Sequence, residues 1–373
     1  MGPTWKDAGL IYYNDPNNIN ITETSLVLNN GNSFIAFKDD NMINNGNVCL
    51  VSFKKTSADP YYGYNFDTIK SLTGMTTVKF GVSSAVGFNT PLNKLMKYVS
   101  FITDSKLQVF EFNDSNVKVE LSSIFSASSG VVRYYDNMPW VAYIDNTNNV
   151  YVRGYSSAWI PPSGQTIEIS EKSNSSNVID LAFSGTSPIV AFRDESTNGI
   201  LVKKFGPTMW ESIDSPIPFT NATGATNKIS LYADNSKIFV AGIYGTGPSD
   251  ESIKICTSSF TNPNWSSFSV VTAPANVEKG ITNLILKYDA TNTTLYIAYS
   301  CGGSENKIYI KKFKIGTDSS WSYIKNGVNN FVADNATAMS FDLEFLNGKT
   351  IPYISYRSTK TGEDGWGYVK RFE

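Results

Sequence analysis

The chain has 373 residues, enough for two average domains or one large all-β domain, and its 31 basic and 33 acidic residues give a net charge of −2. Nucleic-acid binding needs a concentrated positive face, and the chain has no basic block, so we expect no nucleic-acid partner. The chain also lacks an apolar run of about 20 residues and a sustained helical period, so we expect no membrane insertion and no helical domain.

One short strand motif recurs seven times along the chain. Each copy has a large apolar residue, then a β-branched residue, then Ala or Ser. A strand that is apolar on both sides must be covered on both faces, which fits a small sheet stacked between two neighbours. The small third residue predicts that the adjacent sheet approaches closely there. In chain order the copies are FIAF at 34–37, YVSF at 98–101, WVAY at 140–143, IVAF at 189–192, FVAG at 239–242, YIAY at 296–299 and YISY at 353–356.

Further strands flank each copy of the motif. An apolar strand precedes it, a second one follows it, and a tryptophan opens a fourth strand in several copies, at Trp210, Trp265 and Trp321. Four antiparallel strands repeated seven times predict an all-β fold, a seven-bladed β-propeller that forms one domain over 1–373. The predicted blades cover about 24–70, 76–124, 128–172, 176–220, 226–275, 280–330 and 335–373.

The two ends of the chain complete one blade in this interpretation. The chain stops at KRFE (370–373), in the third strand of the seventh copy, and it begins with GPTWKD at 2–7. Joined tail to head, these segments match KKFGPTMWE at 203–211. We therefore expect segment 3–14 to supply the outer strand of the last blade and to remove its exposed edge.

Two stretches carry a family resemblance. VAFRDESTNGILVKKFGPTMW at 190–210 and IAYSCGGSENKIYIKKFKIGTDSSW at 297–321 resemble the repeats of bacterial surface propellers, which read roughly VAYxD followed by VxKYxGTxW. More broadly, the chain is similar to β-propeller lectins in its repeated blades and its 13% aromatic content. The resemblance implies several blades with sugar sites, although propellers also host enzymes and scaffolds.

The composition limits catalysis. The chain has no histidine, the commonest general base and metal ligand, and Cys49, Cys256 and Cys301 lack metal-binding spacing. We expect no cofactor and no metal site, and we favour a protein that is not an enzyme. The catalytic alternative is a glycoside hydrolase or lyase whose groups lie on the first strands, facing a central channel. Those groups are Asp180, Asp342, Glu344 and Arg133.

A second group of candidates lies in the loops after the second strands, which we expect to gather at one end of the propeller. Charged side chains beside aromatic rings suit hydroxyl-rich ligands, which need hydrogen bonds and a stacking face. The alternative is that the aspartates only form hairpin turns. The loop candidates are Asp39, Asp145, Arg193, Asp194, Glu195, Tyr244 and Arg357, and Trp159 and Trp366 are candidate stacking platforms.

Together these features favour a lectin-like propeller that binds glycans or glycoconjugates at loops and clefts on one face. A scaffold that holds a protein partner with the same face is the alternative. We expect a secreted or cell-surface protein, and a cytoplasmic location stays open. The sequence does not choose the sugar, the number of sites or the oligomeric state.

Overall fold

A computed structural model of the chain describes residues 5–11, 20–29, 32–40, 47–55, 64–66, 70–71, 78–103, 106–112, 118–124, 126–162, 169–174, 178–217, 228–245, 251–260, 263–272, 280–302, 306–324 and 330–372. The secondary-structure elements named in these ranges are all β-strands. Within the same ranges, no helix has the length and apolar character needed to cross a membrane.

The strands form seven antiparallel sheets, numbered here as blades 1 to 7 in chain order. Blade 1 contains β2 (Ile21–Asn29), β3 (Asn32–Asp39), β4 (Asn47–Lys55), β5 (Tyr64–Phe66) and β6 (Lys70–Ser71). Blade 2 contains β7 (Val78–Asn89), β8 (Lys94–Thr103), β9 (Lys106–Phe112) and β10 (Lys118–Ile124). Blade 3 contains β11 (Ala127–Tyr135), β12 (Met138–Asp145), β13 (Val150–Tyr155) and β14 (Trp159–Ile160). Blade 4 contains β15 (Ile179–Ser184), β16 (Ser187–Arg193), β17 (Ile200–Phe205) and β18 (Trp210–Ser212).

The remaining strands complete the last three blades. Blade 5 contains β19 (Ile229–Ala233), β20 (Lys237–Tyr244), β21 (Ser252–Ser259) and β22 (Ser266–Thr272). Blade 6 contains β23 (Ile281–Asp289), β24 (Thr294–Cys301), β25 (Lys307–Lys314) and β26 (Ser322–Tyr323). Blade 7 contains β27 (Ala336–Leu346), β28 (Lys349–Ser358), β29 (Gly367–Phe372) and β1 (Trp5–Ile11).

This topology confirms the predicted seven-bladed β-propeller class, with one local addition. In six blades, four strands pair in a single path, whereas blade 1 carries the short strand β6, which pairs with β4 beside β5.

The N-terminal strand closes the last blade as predicted. β1 pairs antiparallel with β29, with Trp5 opposite Phe372 and Ile11 opposite Gly367.

The described part of the chain divides into two compact units. Unit 1 comprises Met1–Ser84 and Lys287–Glu373 and contains blades 1 and 7, and unit 2 comprises Ala85–Leu286 and contains blades 3, 4 and 5. Each unit has its own apolar clusters between neighbouring blades. In unit 2, Ile189 and Ala191 of blade 4 pack with Ile238 and Val240 of blade 5.

The repeated motif explains this packing. Its small third residue is fully buried in every copy, as a strand covered on both faces requires. The tryptophan that opens the fourth strand is also buried in blade 4, where Trp210 is 8% exposed and meets Phe205 edge-on, with ring centroids 5.4 Å apart. The small residues with no exposed surface are Ala36, Ser100, Ala142, Ala191, Ala241, Ala298 and Ser355.

Candidate functional site

The carboxylates proposed as catalytic groups hold neighbouring first strands together. In unit 2, Asp180 on β15 forms an ion pair with Arg133 on β11 and accepts a 2.9 Å hydrogen bond from the backbone N–H of Leu231 on β19. In unit 1, Asp342 on β27 repeats the arrangement. Its carboxylate lies 2.8 Å from the ammonium of Lys287 and accepts a hydrogen bond from the N–H of Leu28.

Glu344 is also engaged within its own blade. It is 6% exposed, and the phenol of Tyr353 donates a 2.8 Å hydrogen bond to its carboxylate. These contacts give each carboxylate a structural partner. The catalytic assignment to Asp180, Asp342, Glu344 and Arg133 stays a prediction, with Arg133 and Asp180 in unit 2 and the other two in unit 1.

Two of the predicted ligand-binding aspartates organise their own turns. Oδ1 of Asp145 accepts hydrogen bonds from the backbone N–H groups of Thr147 and Asn149. Oδ2 of Asp194 accepts hydrogen bonds from the hydroxyl of Ser196 and from the N–H and hydroxyl of Thr197. Burial would raise the pKa of both carboxyls, but these hydrogen bonds outweigh it and lower the pKa. This geometry is that of an Asx turn, the structural alternative considered for both residues.

The unit 1 candidates lie on blades 1 and 7. Asp39 is 1% exposed, and its carboxylate accepts a hydrogen bond from the N–H of Asn20. The guanidinium of Arg357 donates a 3.0 Å hydrogen bond to Asp364. Arg357 pairs with Gly367 in the ladder, next to the half-buried Trp366. The structure thus places Trp366, which directly precedes β29, beside the end of β28 that carries Arg357, and the N–H of Ser358 donates to the Trp366 carbonyl.

Trp159 does not belong to the loops of blade 4. It begins β14, the short outer strand of blade 3. It pairs with Tyr155 and is half-buried, with the two rings edge-on and their centroids 5.0 Å apart. One side of its ring therefore packs against Tyr155, and its role as a stacking platform stays a prediction. Glu195 is exposed, and its backbone N–H donates to the carbonyl of Lys172.

Arg193 lies at the end of β16, on the surface of blade 4 that meets blade 5. Its ladder partner is Ile200, which belongs to the apolar cluster shared by these two blades. Because side chains two residues apart share a face of a strand, Arg193 lies on the same face as Ile189 and Ala191. Burial lowers the pKa of the half-buried Arg193 guanidinium.

Tyr244 lies on the opposing surface, at the end of β20. It shares a face with Val240, whose side chain packs against blade 4, because the β20–β21 ladder is regular from Lys237 to Tyr244. Its ring is 40% exposed. The ammonium of Lys254 lies 6.0 Å from the ring centroid, within reach of a cation–π contact.

One ladder pair on the same face as Tyr244 distinguishes blade 5 from every other copy of the motif. Gly242 lies opposite Lys254 in the β20–β21 ladder. The other six copies have an aromatic residue at the Gly242 position and an uncharged partner at the Lys254 position. Those pairs are Phe37–Cys49, Phe101–Gln108, Tyr143–Tyr151, Phe192–Leu201, Tyr299–Tyr309 and Tyr356–Tyr368.

Phe37 packs with residues of blade 7 and Phe192 with residues of blade 3, the preceding blade in each case. Three of the pairs are stacked rings with centroids 5.0 to 5.6 Å apart. Blade 5 replaces this apolar filling by a glycine and a lysine. We call the facing surfaces of blades 4 and 5 at this level the Arg193 cleft and define it by Arg193 on blade 4 and by Gly242, Tyr244 and Lys254 on blade 5. These residues supply a guanidinium, an ammonium and an exposed phenol ring, and Gly242 has no side chain.

Arg193 and Tyr244 were among the residues predicted from the sequence, whereas Gly242 and Lys254 were not. The FVAG motif at 239–242 carried the signal, since the other copies end in Phe or Tyr. Lys254 becomes significant only through its register with Gly242.

No group of three or more His, Cys, Asp or Glu residues suited to a metal ion occurs in the part of the chain that the structure describes.

No protein-family model matches this chain, and no curated protein matches its sequence. Among solved structures it is similar to the Penicillium chrysogenum alpha-L-arabinanase complexed with arabinobiose, with 11% identity, coverage of 100% of this chain and 98% of that one, and a TM-score of 0.52.

Two lectins also match. The SapL1 lectin in complex with alpha methyl fucoside has 12% identity, coverage of 83% and 96% of the two chains, and a TM-score of 0.47. The six-bladed Aleuria aurantia lectin has 10% identity, coverage of 84% and 97%, and a TM-score of 0.46. At these identities the arabinanase match supports the propeller fold, and the functional argument depends on this chain's own residues.

Proposed function

We propose that the protein binds carbohydrate and that the Arg193 cleft is the binding site. The observation that carries the proposal is the Gly242–Lys254 pair, which replaces the apolar filling found in the other six blades. A sugar ring presents an apolar face and a rim of hydroxyl groups. An exposed Tyr244 ring suits the face, and the guanidinium of Arg193 suits the hydroxyl groups.

The proposal assigns different roles to the other candidates. Asp145 and Asp194 shape the loops, because their carboxylates already accept hydrogen bonds within their turns. Arg357 and Trp366 form a separate polar and aromatic group in unit 1. Because the Gly–Lys pair occurs in one blade, we expect one principal site of weak intrinsic affinity.

A glycan array followed by calorimetric titration of the strongest hit tests the proposal. We expect binding that free sugar competes away and that Arg193→Ala or Tyr244→Ala weakens by roughly tenfold, the effect of losing a charged hydrogen bond or a stacking contact. Arg153→Ala is the matched control, because Arg153 is a half-buried arginine of blade 3, 5.6 Å from the ring centroid of Tyr151. This variant should bind like the wild type.

Two results would contradict the proposal. A blank array combined with specific recovery of a protein partner would favour the scaffold function. Turnover of a glycoside that Asp180→Asn abolishes would favour the hydrolase function and the first-strand carboxylates.

We also propose a secreted or surface location, since glycans are most abundant there. Fractionation of the producing cell with an antibody against the chain tests this, and a purely cytoplasmic signal would refute it.

A further inference from the structure

We propose that Asn174 is a positioning residue for the Arg193 cleft, and that it holds the guanidinium of Arg193 in place through Asn198. The inference rests on the proposed function, because it takes Arg193 as a residue that contacts the sugar. It adds a residue outside the strands of blade 4 on which the geometry of the site depends. Asn174 lies in the segment that joins blades 3 and 4, between β14 and β15.

This joining segment is anchored on both sides. The N–H of Ser173 donates a 2.8 Å hydrogen bond to the carbonyl of Asn148, in the loop after the second strand of blade 3. The N–H of Asn174 donates a 2.9 Å hydrogen bond to the carbonyl of Arg193, at the end of the second strand of blade 4. Ser173 has no exposed surface. The segment therefore ties the loop of blade 3 to the strand end that carries Arg193.

A closed set of three contacts links Asn174, Asn198 and Arg193. The first is the backbone hydrogen bond from Asn174 to the Arg193 carbonyl. In the second, Nδ2 of Asn174 donates to Oδ1 of Asn198. In the third, Nε of Arg193 donates to the carbonyl of Asn198, at 3.4 Å. The backbone of Arg193 is thus bound to Asn174 directly, and its guanidinium is bound to Asn174 through Asn198.

The contact between Arg193 and Asn198 depends on where the Asn198 carbonyl lies. A separation of 3.4 Å is at the long end for a hydrogen bond from nitrogen, so a small displacement of the carbonyl would break it. Asn198 has a φ of +57°, a left-handed conformation that asparagine adopts more readily than most residues. Its N–H donates to the Asp194 carbonyl at 3.0 Å, and its side chain is held by Asn174. These two contacts fix the residue whose carbonyl Arg193 meets.

The matching loop of blade 3 shows what is particular to blade 4. Asn148 also has a left-handed φ, of +68°, and both asparagines lie two residues before their third strand. The Asn148 carbonyl accepts the backbone N–H of Ser173, whereas the Asn198 carbonyl accepts Nε of Arg193. Blade 3 has Ile144 at the position of Arg193, so it has no side chain that could use the carbonyl in this way.

A side chain that is ordered before the ligand arrives lowers the cost of binding. A free arginine loses rotamer freedom when it contacts a ligand, whereas a pre-ordered one has lost that freedom already. Ordering one long side chain corresponds to a change of about two- to tenfold in affinity. We therefore expect Asn174 to affect affinity although it does not contact the sugar.

Nuclear magnetic resonance of the Arg193 Nε–H group tests the positioning without a ligand. The chain has five arginines, so isotope labelling of arginine gives few such signals, and Arg193→Lys identifies the one from Arg193. Asn174→Ala and Asn198→Gly each remove the same amide contact, and glycine accepts the left-handed conformation. Each should shift the signal and speed exchange of its proton with water. Asn146→Ala is the matched control, because Asn146 is an exposed asparagine of the blade 3 loop that donates to Ser126, and it should leave the signal unchanged.

Calorimetric titration with the strongest glycan hit tests the link to binding. Asn174→Ala should raise the Kd by about two- to tenfold in the wild-type background. It should leave the Kd unchanged in an Arg193→Ala background, because its effect passes through Arg193. A merely structural role would weaken binding in both backgrounds.

The outcomes separate this inference from the function on which it rests. An unchanged Nε–H signal in the folded Asn174→Ala protein would overturn it, whatever the protein binds, and Asn198→Gly replaces that variant if it does not fold. An equal loss of affinity in both backgrounds would also overturn it. A protein that binds no glycan would fail the proposed function, and the Nε–H signal alone would then decide whether Asn174 positions Arg193.

Discussion

Asp180 on β15 accepts a hydrogen bond from the backbone N–H of Leu231 on β19, with 2.9 Å between donor and acceptor. The same link recurs with serine at the equivalent position. Ser25 accepts from the N–H of Ser84, Ser230 from that of Leu286, and Ser340 from that of Leu26. Each acceptor lies opposite the small third residue of its blade, so the link fixes the first strands of successive blades.

The first prediction concerns this link. Asp180→Ala should lower the free energy of unfolding by about 1–3 kcal/mol, because it leaves the buried N–H of Leu231 without its acceptor. Asp180→Asn keeps an acceptor oxygen and should cost less. Urea denaturation measures both. Equal stability of Asp180→Ala and the wild type would show that the hydrogen bond contributes nothing.

The second prediction separates turn formation from ligand binding in one loop. Asp194→Ala should destabilise the protein by about 1 kcal/mol or more, since Ser196 and Thr197 lose their shared acceptor. Glu195→Ala, at the next and exposed position, should leave the melting temperature unchanged. Thermal melting and glycan titration of both variants provide the check. A stable Asp194→Ala variant that loses binding would restore Asp194 as a direct ligand-binding residue.

The third prediction is a pH dependence at the contact between blades 4 and 5. Asp214 accepts hydrogen bonds from the backbone N–H groups of Trp265 and Ser215, and these lower its pKa below the ordinary value of 3.8. A lowered pKa contributes stability above 3.8 that is lost as the pH falls through the folded-state pKa. Asp214→Asn should therefore melt below the wild type at neutral pH, and the difference should shrink in acid.

Melting curves from neutral pH to below 3.8 measure this effect. Glu211→Gln serves as the control, because it removes one negative charge from an exposed position on β18. A difference between wild type and Asp214→Asn that stays constant across the whole range would contradict the assignment.

The fourth prediction concerns closure of the last blade. Deleting residues 1–14 removes β1 and exposes the backbone edge of β29, from Gly367 to Phe372. We expect a loss of stability on the order of several kcal/mol, and aggregation through the free edge. Deletion of residues 1–4 keeps β1 and is the matched control. Identical melting of the two truncated proteins would show that β1 does not stabilise the blade.

Much of the fold could be read from the sequence, because its repeat is local. A strand motif with a small third residue marks each blade, and the tail-to-head match anticipated the pairing of Trp5 with Phe372. Blade 1 departs from the pattern through β6, a two-residue strand that pairs with β4. A strand this short has no periodicity that a sequence pattern can reveal.

The site was harder to predict, because the same residue types serve turns and ligands. Asp145 and Asp194 had the composition of a binding loop, and the structure shows their carboxylates holding turns. Arg193 and Tyr244 were indistinguishable from them in sequence. What separates the two groups is the face of the strand and the pairing of Gly242 with Lys254, which depends on the register of β20 and β21.

The proposed binding site depends on Gly242, which replaces the aromatic ring that the other six blades carry at this position. Gly242 lies within β20, paired with Ile229 and Lys254, so its extended backbone accepts a larger residue. Gly242→Phe with Lys254→Leu recreates the Phe192–Leu201 pair of blade 4 and should fold. Gly242→Ala adds only a methyl group and should leave most of the cleft open.

Calorimetric titration of Gly242→Phe with the strongest glycan hit is therefore the most direct measurement. We predict that the variant melts within a few degrees of the wild type and loses detectable binding, while Gly242→Ala retains most of the affinity. Wild-type affinity in a folded Gly242→Phe variant, or in the Gly242→Phe/Lys254→Leu double variant if the single variant does not fold, would contradict the account.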